Sequence, residues 1–313
     1  MSARDRDQHE YPQNRVDTLN GVHPCVMELE GTHNVSDQNH QESSPPYRDD
    51  DRSAWGCGYG RLAGKNALVT GSTRGLGRTM IEWLAREGAN IVVSGRERGD
   101  VNDSVDAVRD LGVTAWGFAA DLSRIEDAHR LGQQALEAVG QLDILVNNAG
   151  MSIPNDFWNV SDDEFEYQLN VNLRSPFILS QCSARNMIEH GQGGRIVNVS
   201  TVGVFAAHPD RMVYNLAKGG VQSMTQNLGY ELGPYGIAVN CVAPGNMQDR
   251  PGTEGEVTSE QRSRSEGQIP VGRVGSGDDI AATVLYFCLP EAAYITGQTL
   301  LVDGLLANYL REH

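Results

Sequence analysis

From Leu62 onward the chain alternates between two hydrophobic patterns. Short, β-rich apolar runs fall at Ala67–Thr70, Ile91–Ser94, Trp116–Ala119, Ile144–Val146, Arg195–Val199, Ala238–Val242 and Thr299–Val302. Amphipathic stretches separate them, and these predict helices over Leu76–Glu87, Asn102–Leu111, Ile125–Val139, Asp162–His190, Val213–Leu232 and Asp278–Phe287. Seven strands with helices between them predict an α/β fold, a doubly wound, mostly parallel sheet flanked by helices.

The ends of this rhythm mark the organisation. Residues 1–60 are polar and acidic, without sustained period, and are expected to form a disordered extension. Residues 61–313 suit one large domain. Within it, 248–275 breaks the alternation with Pro251, several glycines and mixed charge, and reads as a lid over a site.

Charge and cysteine usage narrow the function classes. A formal net charge of −16 and a pI near 4.8 argue against a nucleic-acid partner, which needs clustered Lys and Arg. The five cysteines, Cys25, Cys57, Cys182, Cys241 and Cys288, show neither zinc spacing nor a disulfide framework, and read as reduced, mostly buried thiols. His23 lies near Cys25, but the tail histidines are irregularly spaced and read as solvated; no metal site is expected. No apolar run is long enough to span a bilayer and no signal core or transit pattern opens the chain, so a cytosolic protein is expected.

The candidate chemistry begins at Thr70-Gly71-Ser72-Thr73-Arg74-Gly75-Leu76-Gly77, between the first strand and the first helix. Glycines there let the backbone turn tightly and approach a pyrophosphate, which then meets the positive end of the helix. An acid at the end of the second strand would bind the adenine ribose of NAD, but Gly95 stands at that place, followed by Arg96. Arg96, with Arg74, suits a 2′-phosphate, so NADP(H) is preferred; NAD(H) stays possible because Glu97 is adjacent. Farther on, Tyr214 and Lys218 are four residues apart on a predicted helix, sharing one face where both can act on one proton.

Together with Asn147-Asn148-Ala149-Gly150, Asn172 and Pro244-Gly245, these motifs in this order resemble the short-chain dehydrogenase/reductase family, in its single-domain branch marked by T-G-x-x-x-G-x-G and Y-x-x-x-K. The resemblance covers roughly residues 61 to 313 and implies a Rossmann fold and hydride transfer between a nicotinamide and an alcohol or ketone. It implies that Tyr214 is the general acid/base and that Lys218 supplies charge and binds the nicotinamide ribose. A neighbouring ammonium favours phenolate, whose unperturbed pKa of about 10 is poorly matched to neutral pH. Asn172 matches an asparagine that holds a water in the proton relay, with Asn170 as competitor. Thr201, thirteen residues before Tyr214, falls where the family carries a substrate-orienting serine, and Ser200 is the alternative. Consecutive strand residues face opposite ways, so the two are not expected to serve together.

The same resemblance assigns Asp121 and Leu122 to the adenine and Asn148, Ala149 and Gly150 to the cofactor side of the fourth strand, with Pro244 and Gly245 beside them. Five residues after Pro244, where relatives often carry a threonine, stands Asp249; Thr253 is a possible replacement. The expected substrate is a small or medium secondary alcohol or ketone, and 3-oxoacyl reductases and sugar-acid or polyol dehydrogenases share the general core. Gln192 and Tyr235 stand where a carrier-protein reductase would be expected to show basic residues. His208, Asp210 and Arg211 lie in a loop that could contact a polar substrate. A homodimer or homotetramer is implied through the two long helices, although Phe177, Leu179, Met224 and Leu228 could equally be core. Outside enzymes, a dinucleotide-binding sensor or scaffold is the alternative class, with the acidic tail as its interaction arm.

Overall fold

The computed structural model describes residues 60–206, 208–248 and 265–307. Seven strands, β1 (Asn66–Val69), β2 (Asn90–Gly95), β3 (Ala115–Ala119), β4 (Ile144–Asn147), β5 (Gly194–Val199), β6 (Ile237–Pro244) and β7 (Thr299–Val302), form one sheet in the order β3-β2-β1-β4-β5-β6-β7. Every pairing is parallel. Chain order reverses direction across the sheet between β1 and β4, so a crevice opens at the carboxyl ends of those two strands.

Period-two alternation in the strands builds two cores. Ala67 and Val69 of β1 face one side with Ile91, Val93, Val197 and Val199, against helices α1 (Gly75–Arg86), α2 (Arg98–Arg109) and α7 (Gly277–Cys288). Leu68, Val92, Leu145 and Ile196 face the other side, against α3 (Ile125–Val139) and α5 (Ser175–His190). These strand residues are 0 to 6% exposed, and burying a branched side chain so fully stabilises by about 1.5–3 kcal/mol. A one-residue slip of any strand would exchange its two faces, so the register is strongly set.

The strands and four of the six predicted helices appear within a residue or two of their expected limits. α2 starts earlier than expected, at Arg98, because Arg98 and Asp100 face solvent and carry no apolar signal. The single helix expected over Asp162–His190 is a larger correction. It is α4 (Asp162–Leu169), a π-helical turn over Asn170–Arg174, and α5. Ser161 and Glu164 form a capping box that starts α4. At the wide turn the carbonyl of Gln168, the ordinary α-helical acceptor for position 172, receives the Asn172 side-chain amide at 2.8 Å. The last long helix, α6, spans Met212–Leu232.

Of the apolar residues offered either to an interface or to the core, Leu179 is 1% exposed and belongs to the core, whereas Phe177 is half exposed. Cys241 and Cys288 are buried and Cys182 is partly so; all three are free thiols. Among the described residues no helix is long and apolar enough to cross a membrane, and no cluster of metal-ligating side chains occurs. The expectations for residues 1–59, Asp249, Pro251 and Thr253 lie outside the described residues.

Candidate active site

The crevice between β1 and β4 is held by side chains from the ends of both strands. Thr70 is buried, and its hydroxyl oxygen accepts from the backbone N–H groups of Asn148 and Ala149, both at 3.0 Å. Asn148 returns the contact, its Nδ2 donating to the carbonyls of Thr70 and Gly71 at 2.9 and 3.0 Å. Gly71 has φ +60°, and a Cβ there would stand 3.0 Å from Ala149 Cα. Gly77 is tighter still, since a Cβ would meet the Gly71 carbonyl and lie 2.5 Å from Asn148 Nδ2. The turn therefore needs glycine at both positions, one for its dihedral and one for contact.

The turn delivers α1 with an open N-terminus. Arg74 occupies the cap position without a side-chain cap hydrogen bond, and no acid lies in the first turn. The first N–H groups of the helix, from Gly75 to Gly77, have no intrahelical acceptors, and the positive end of the dipole adds to them. Such an end fits a pyrophosphate. Ser72 is buried and exchanges hydrogen bonds with the Ser94 backbone, fixing the turn to β2. Thr73 closes over Gly95, where a Cβ would stand 2.5 Å from Thr73 Cγ2. A carboxylate side chain at Gly95 is thus blocked by packing. Arg74 and Arg96 are both exposed, one on the glycine turn and one just past β2, and Glu97 is exposed beside the latter as the cap residue of α2.

The remaining expected cofactor residues rim the same end of the sheet. Asp121 follows β3, its Oδ1 accepting from the N–H and hydroxyl of Ser123 at 3.0 and 2.8 Å. Leu122 is 6% exposed, and its carbonyl accepts from Ser175 Oγ. Pro244 ends β6, and Gly245 packs so closely on Asp303 that a Cβ would stand 2.6 Å from Asp303 Cβ.

Lys218 is the most deeply buried cation of the site, 2% exposed. Its Nζ donates to the Val199 carbonyl at 2.8 Å and lies 5.8 Å from the centre of the Tyr214 ring. Burial pulls its ammonium from the ordinary 10.5 down to about 8, opposed by the nearby Cys241 thiol. Gly150 makes this approach possible, because a Cβ there would be 3.3 Å from Lys218 Nζ and 3.1 Å from Asn172 Oδ1. Asn172 is wholly buried; its Oδ1 accepts from Met151 N at 3.1 Å and its Nδ2 donates to Met151 O at 2.7 Å. Asn170 points elsewhere, donating to the Ser123 carbonyl.

Thr201 and Ser200 separate as strand geometry requires. Ser200 is 2% exposed, donates to the Lys218 carbonyl and accepts from Gln222 Nε2, so its hydroxyl is occupied beneath the helix. Thr201 is half-buried at the strand end, where its Oγ1 accepts from Gly203 N at 3.1 Å and keeps its own proton to donate. Tyr214, Lys218, Asn172 and Thr201 thus come from three elements, α6, the π turn and the end of β5, onto one end of the sheet. Sequence reasoning passed over the Thr70 hydroxyl as a separate contributor, and also Gln168, whose Oε1 accepts from Ile153 N. Thr70 opens the glycine motif, whose spacing marks the residue but not its partners, and Gln168 carries neither a charge nor a spacing that would single it out. In the nearby loop, His208 and Asp210 are exposed, while Arg211 is half-buried.

Comparison with known proteins agrees with this architecture. Residues 71–304 match the family model described as enoyl-(acyl carrier protein) reductase. The chain is 34% identical over 247 residues to the L-rhamnose 1-dehydrogenase (NAD(P)(+)) of Azotobacter vinelandii, covering 78% of this chain and 96% of that protein. It is 36% identical over 245 residues to the 3-oxoacyl-(acyl-carrier-protein) reductase of Aquifex aeolicus, covering 78% and 98%. The structure of a short-chain dehydrogenase/reductase mutant from Serratia marcescens superposes with a TM-score of 0.73 at 30% identity, covering 79% of this chain and 99% of that one.

Proposed function

The chain belongs to the short-chain dehydrogenase/reductase family, and on that premise we propose that it interconverts a secondary alcohol and a ketone with NADP(H) in preference to NAD(H), using Tyr214 as the proton donor and acceptor. The observation that carries this reading is the Lys218 ammonium, buried and 5.8 Å from the Tyr214 ring centre. When bound, the dinucleotide supplies or accepts the hydride.

This chain's own residues do the rest. The ammonium of Lys218 favours the phenolate of Tyr214, which makes that oxygen a better partner for a proton at neutral pH. In reduction Tyr214 donates its proton to the substrate oxygen; in oxidation it takes one from the alcohol. Thr201 donates a hydrogen bond to the same substrate oxygen and orients it. Asn172 clasps both backbone polar groups of Met151 and so holds Gly150 against Lys218. The uncapped start of α1 and the glycine turn would hold the pyrophosphate, while Arg74 and Arg96 would hold a 2′-phosphate.

Relatives named for 3-oxoacyl and sugar substrates support two narrower forms of this activity, separable by a panel of ketones and polyols. The cofactor choice is tested without a substrate. Nicotinamide fluorescence should report tighter NADPH than NADH binding, with Arg96→Ala weakening NADPH about 10-fold or more through loss of a charge-assisted contact. Equal binding of the two cofactors would overturn the preference for NADP(H), and tighter NADH binding would reverse it.

A further inference from the structure

One cation beside the site has no task in the chemistry above. Arg211 occupies the cap position of α6, three residues before Tyr214. Its carbonyl accepts from Asn215 N at 2.9 Å, which fixes Arg211 to the first turn of the helix, the turn that leads into Tyr214. Its guanidinium is tethered, NH1 donating to Ser152 Oγ at 3.1 Å. Ser152 lies two residues beyond Gly150 and next to Met151, which Asn172 clasps. Asn155 N donates to the Asp210 carbonyl at 2.9 Å, so this loop is laced to the one that carries Arg211. Arg211 therefore stands on the seam between the two loops that border the catalytic side chains.

The charge there is unbalanced. Among the described residues no carboxylate pairs with Arg211. The acids of the same loops are occupied: Asp156 accepts from Trp158 N, Asn159 N and Asn159 Nδ2, and Glu164 from Asn155 Nδ2 and Ser161 N. Asp210 is exposed. α6 opens without a side-chain cap or an acid in its first turn, so its dipole adds positive potential to the guanidinium. Among the described residues Arg211 is thus a half-buried, tethered guanidinium with no carboxylate beside it, placed to meet an anion.

We propose that Arg211 binds a carboxylate of the substrate, which makes the substrates oxo acids and the corresponding hydroxy acids. One N–H of the guanidinium is spent on Ser152, and the others remain for a carboxylate, whose planar geometry the guanidinium fork matches. The proposal rests on the oxidoreductase reading above and names the substrate class for it.

The test measures kcat/KM of the full chain with NADPH for pyruvate, acetoacetate and levulinate, each beside its methyl ester. For at least one chain length, wild type should prefer acid over ester by about 10- to 100-fold, the worth of a hydrogen bond to a charged group. Arg211→Gln should collapse that ratio through a higher KM for the acid, and Arg211→Lys should restore part of it. Ser152→Ala, which frees the guanidinium without removing its charge, should give an intermediate ratio. Equal use of acid and ester by wild type, or a ratio unchanged in Arg211→Gln, would overturn the assignment and leave the oxidoreductase reading standing. If Arg211→Gln fails to fold, the wild-type ratio and the Arg211→Lys and Ser152→Ala variants decide the matter. Turnover of none of the six compounds by protein that binds NADPH would overturn the oxo-acid assignment, and the panel of ketones and polyols would then decide the oxidoreductase reading separately.

Discussion

The two ends of the parallel sheet treat polar groups in opposite ways. At the amino ends of the strands, polar side chains satisfy one another. Glu87 is fully buried and takes two hydrogen bonds from the Arg61 guanidinium, at 2.7 and 3.1 Å, and one from Arg61 N. Asp143 accepts from Lys65 Nζ and Asn66 N, Asn66 links to Asn90, and Asn186 holds the turn before β4 through Leu142 N and Gly140 O. At the carboxyl ends, by contrast, the start of α1 is uncapped, a lysine is buried against a carbonyl, and a helix widens by a residue. At the amino ends polar side chains close on one another, while at the carboxyl ends pairs such as Thr70 with Asn148 and Ser72 with Ser94 frame the uncapped start of α1.

That contrast makes single substitutions separable. The largest effect is expected from Tyr214→Phe, which should lower kcat by about 10²- to 10⁴-fold, the usual worth of a positioned acid/base, while thermal unfolding stays near wild type. A variant that kept most of its turnover would move the proton role elsewhere. At the opposite end, Glu87→Ala empties a fully buried site and removes its hydrogen bonds, but the Arg61 side chain left behind is 36% exposed and can turn to solvent, so the expected cost is about 1–3 kcal/mol in denaturant unfolding, with kcat of the folded fraction retained. Should kcat fall in step with stability, the two ends would be coupled rather than independent.

Lys218→Met sharpens the comparison through pH. The folded ammonium titrates near 8 and the unfolded one near 10.5, so between those values the unfolded chain binds more protons and wild-type stability gains with rising pH. Below about 8 the full cost of the buried charge is present. The variant lacks this term, so its stability relative to wild type should fall as pH rises from 8 to 10.5, read from melting curves across the range. A pH-independent difference would mean that Lys218 titrates at its ordinary value. The smallest effect belongs to Lys65→Ala, whose side chain is 48% exposed; it should cost under about 1 kcal/mol because solvent screens the pair with Asp143.

Much of this was legible in the sequence because it is carried by period and by glycine. The strand runs alternate between two cores, and a glycine whose Cβ would strike its neighbour declares itself, as Gly77 and Gly95 do. Tyr214 and Lys218 show their shared face through spacing alone. Less legible were contacts made by neutral groups over long separations. Thr70 reaches Asn148 and Ala149 across 78 and 79 positions, and no local pattern anticipates it. The break between α4 and α5 was masked because the hydrophobic run continues through 170–174; its one local sign is Pro176 in the first turn of α5, and the contact that accompanies the widening is a side-chain amide taking a backbone carbonyl.

That widened turn also acts as a phase shifter. One residue of an α-helix advances the side-chain direction by about 100°, so an extra residue in one turn rotates everything after it by that amount relative to a regular helix. α4 and α5 are therefore geared separately. The first can be set by its capping box and its neighbours at the site, and the second by its packing on α3, without either dictating the other's facing. Deleting one residue from 170–174 other than Asn172 should re-engage the two, leaving a continuous helix in which the Asn172 contacts to Met151 and the α5 core face can no longer both be correctly aimed.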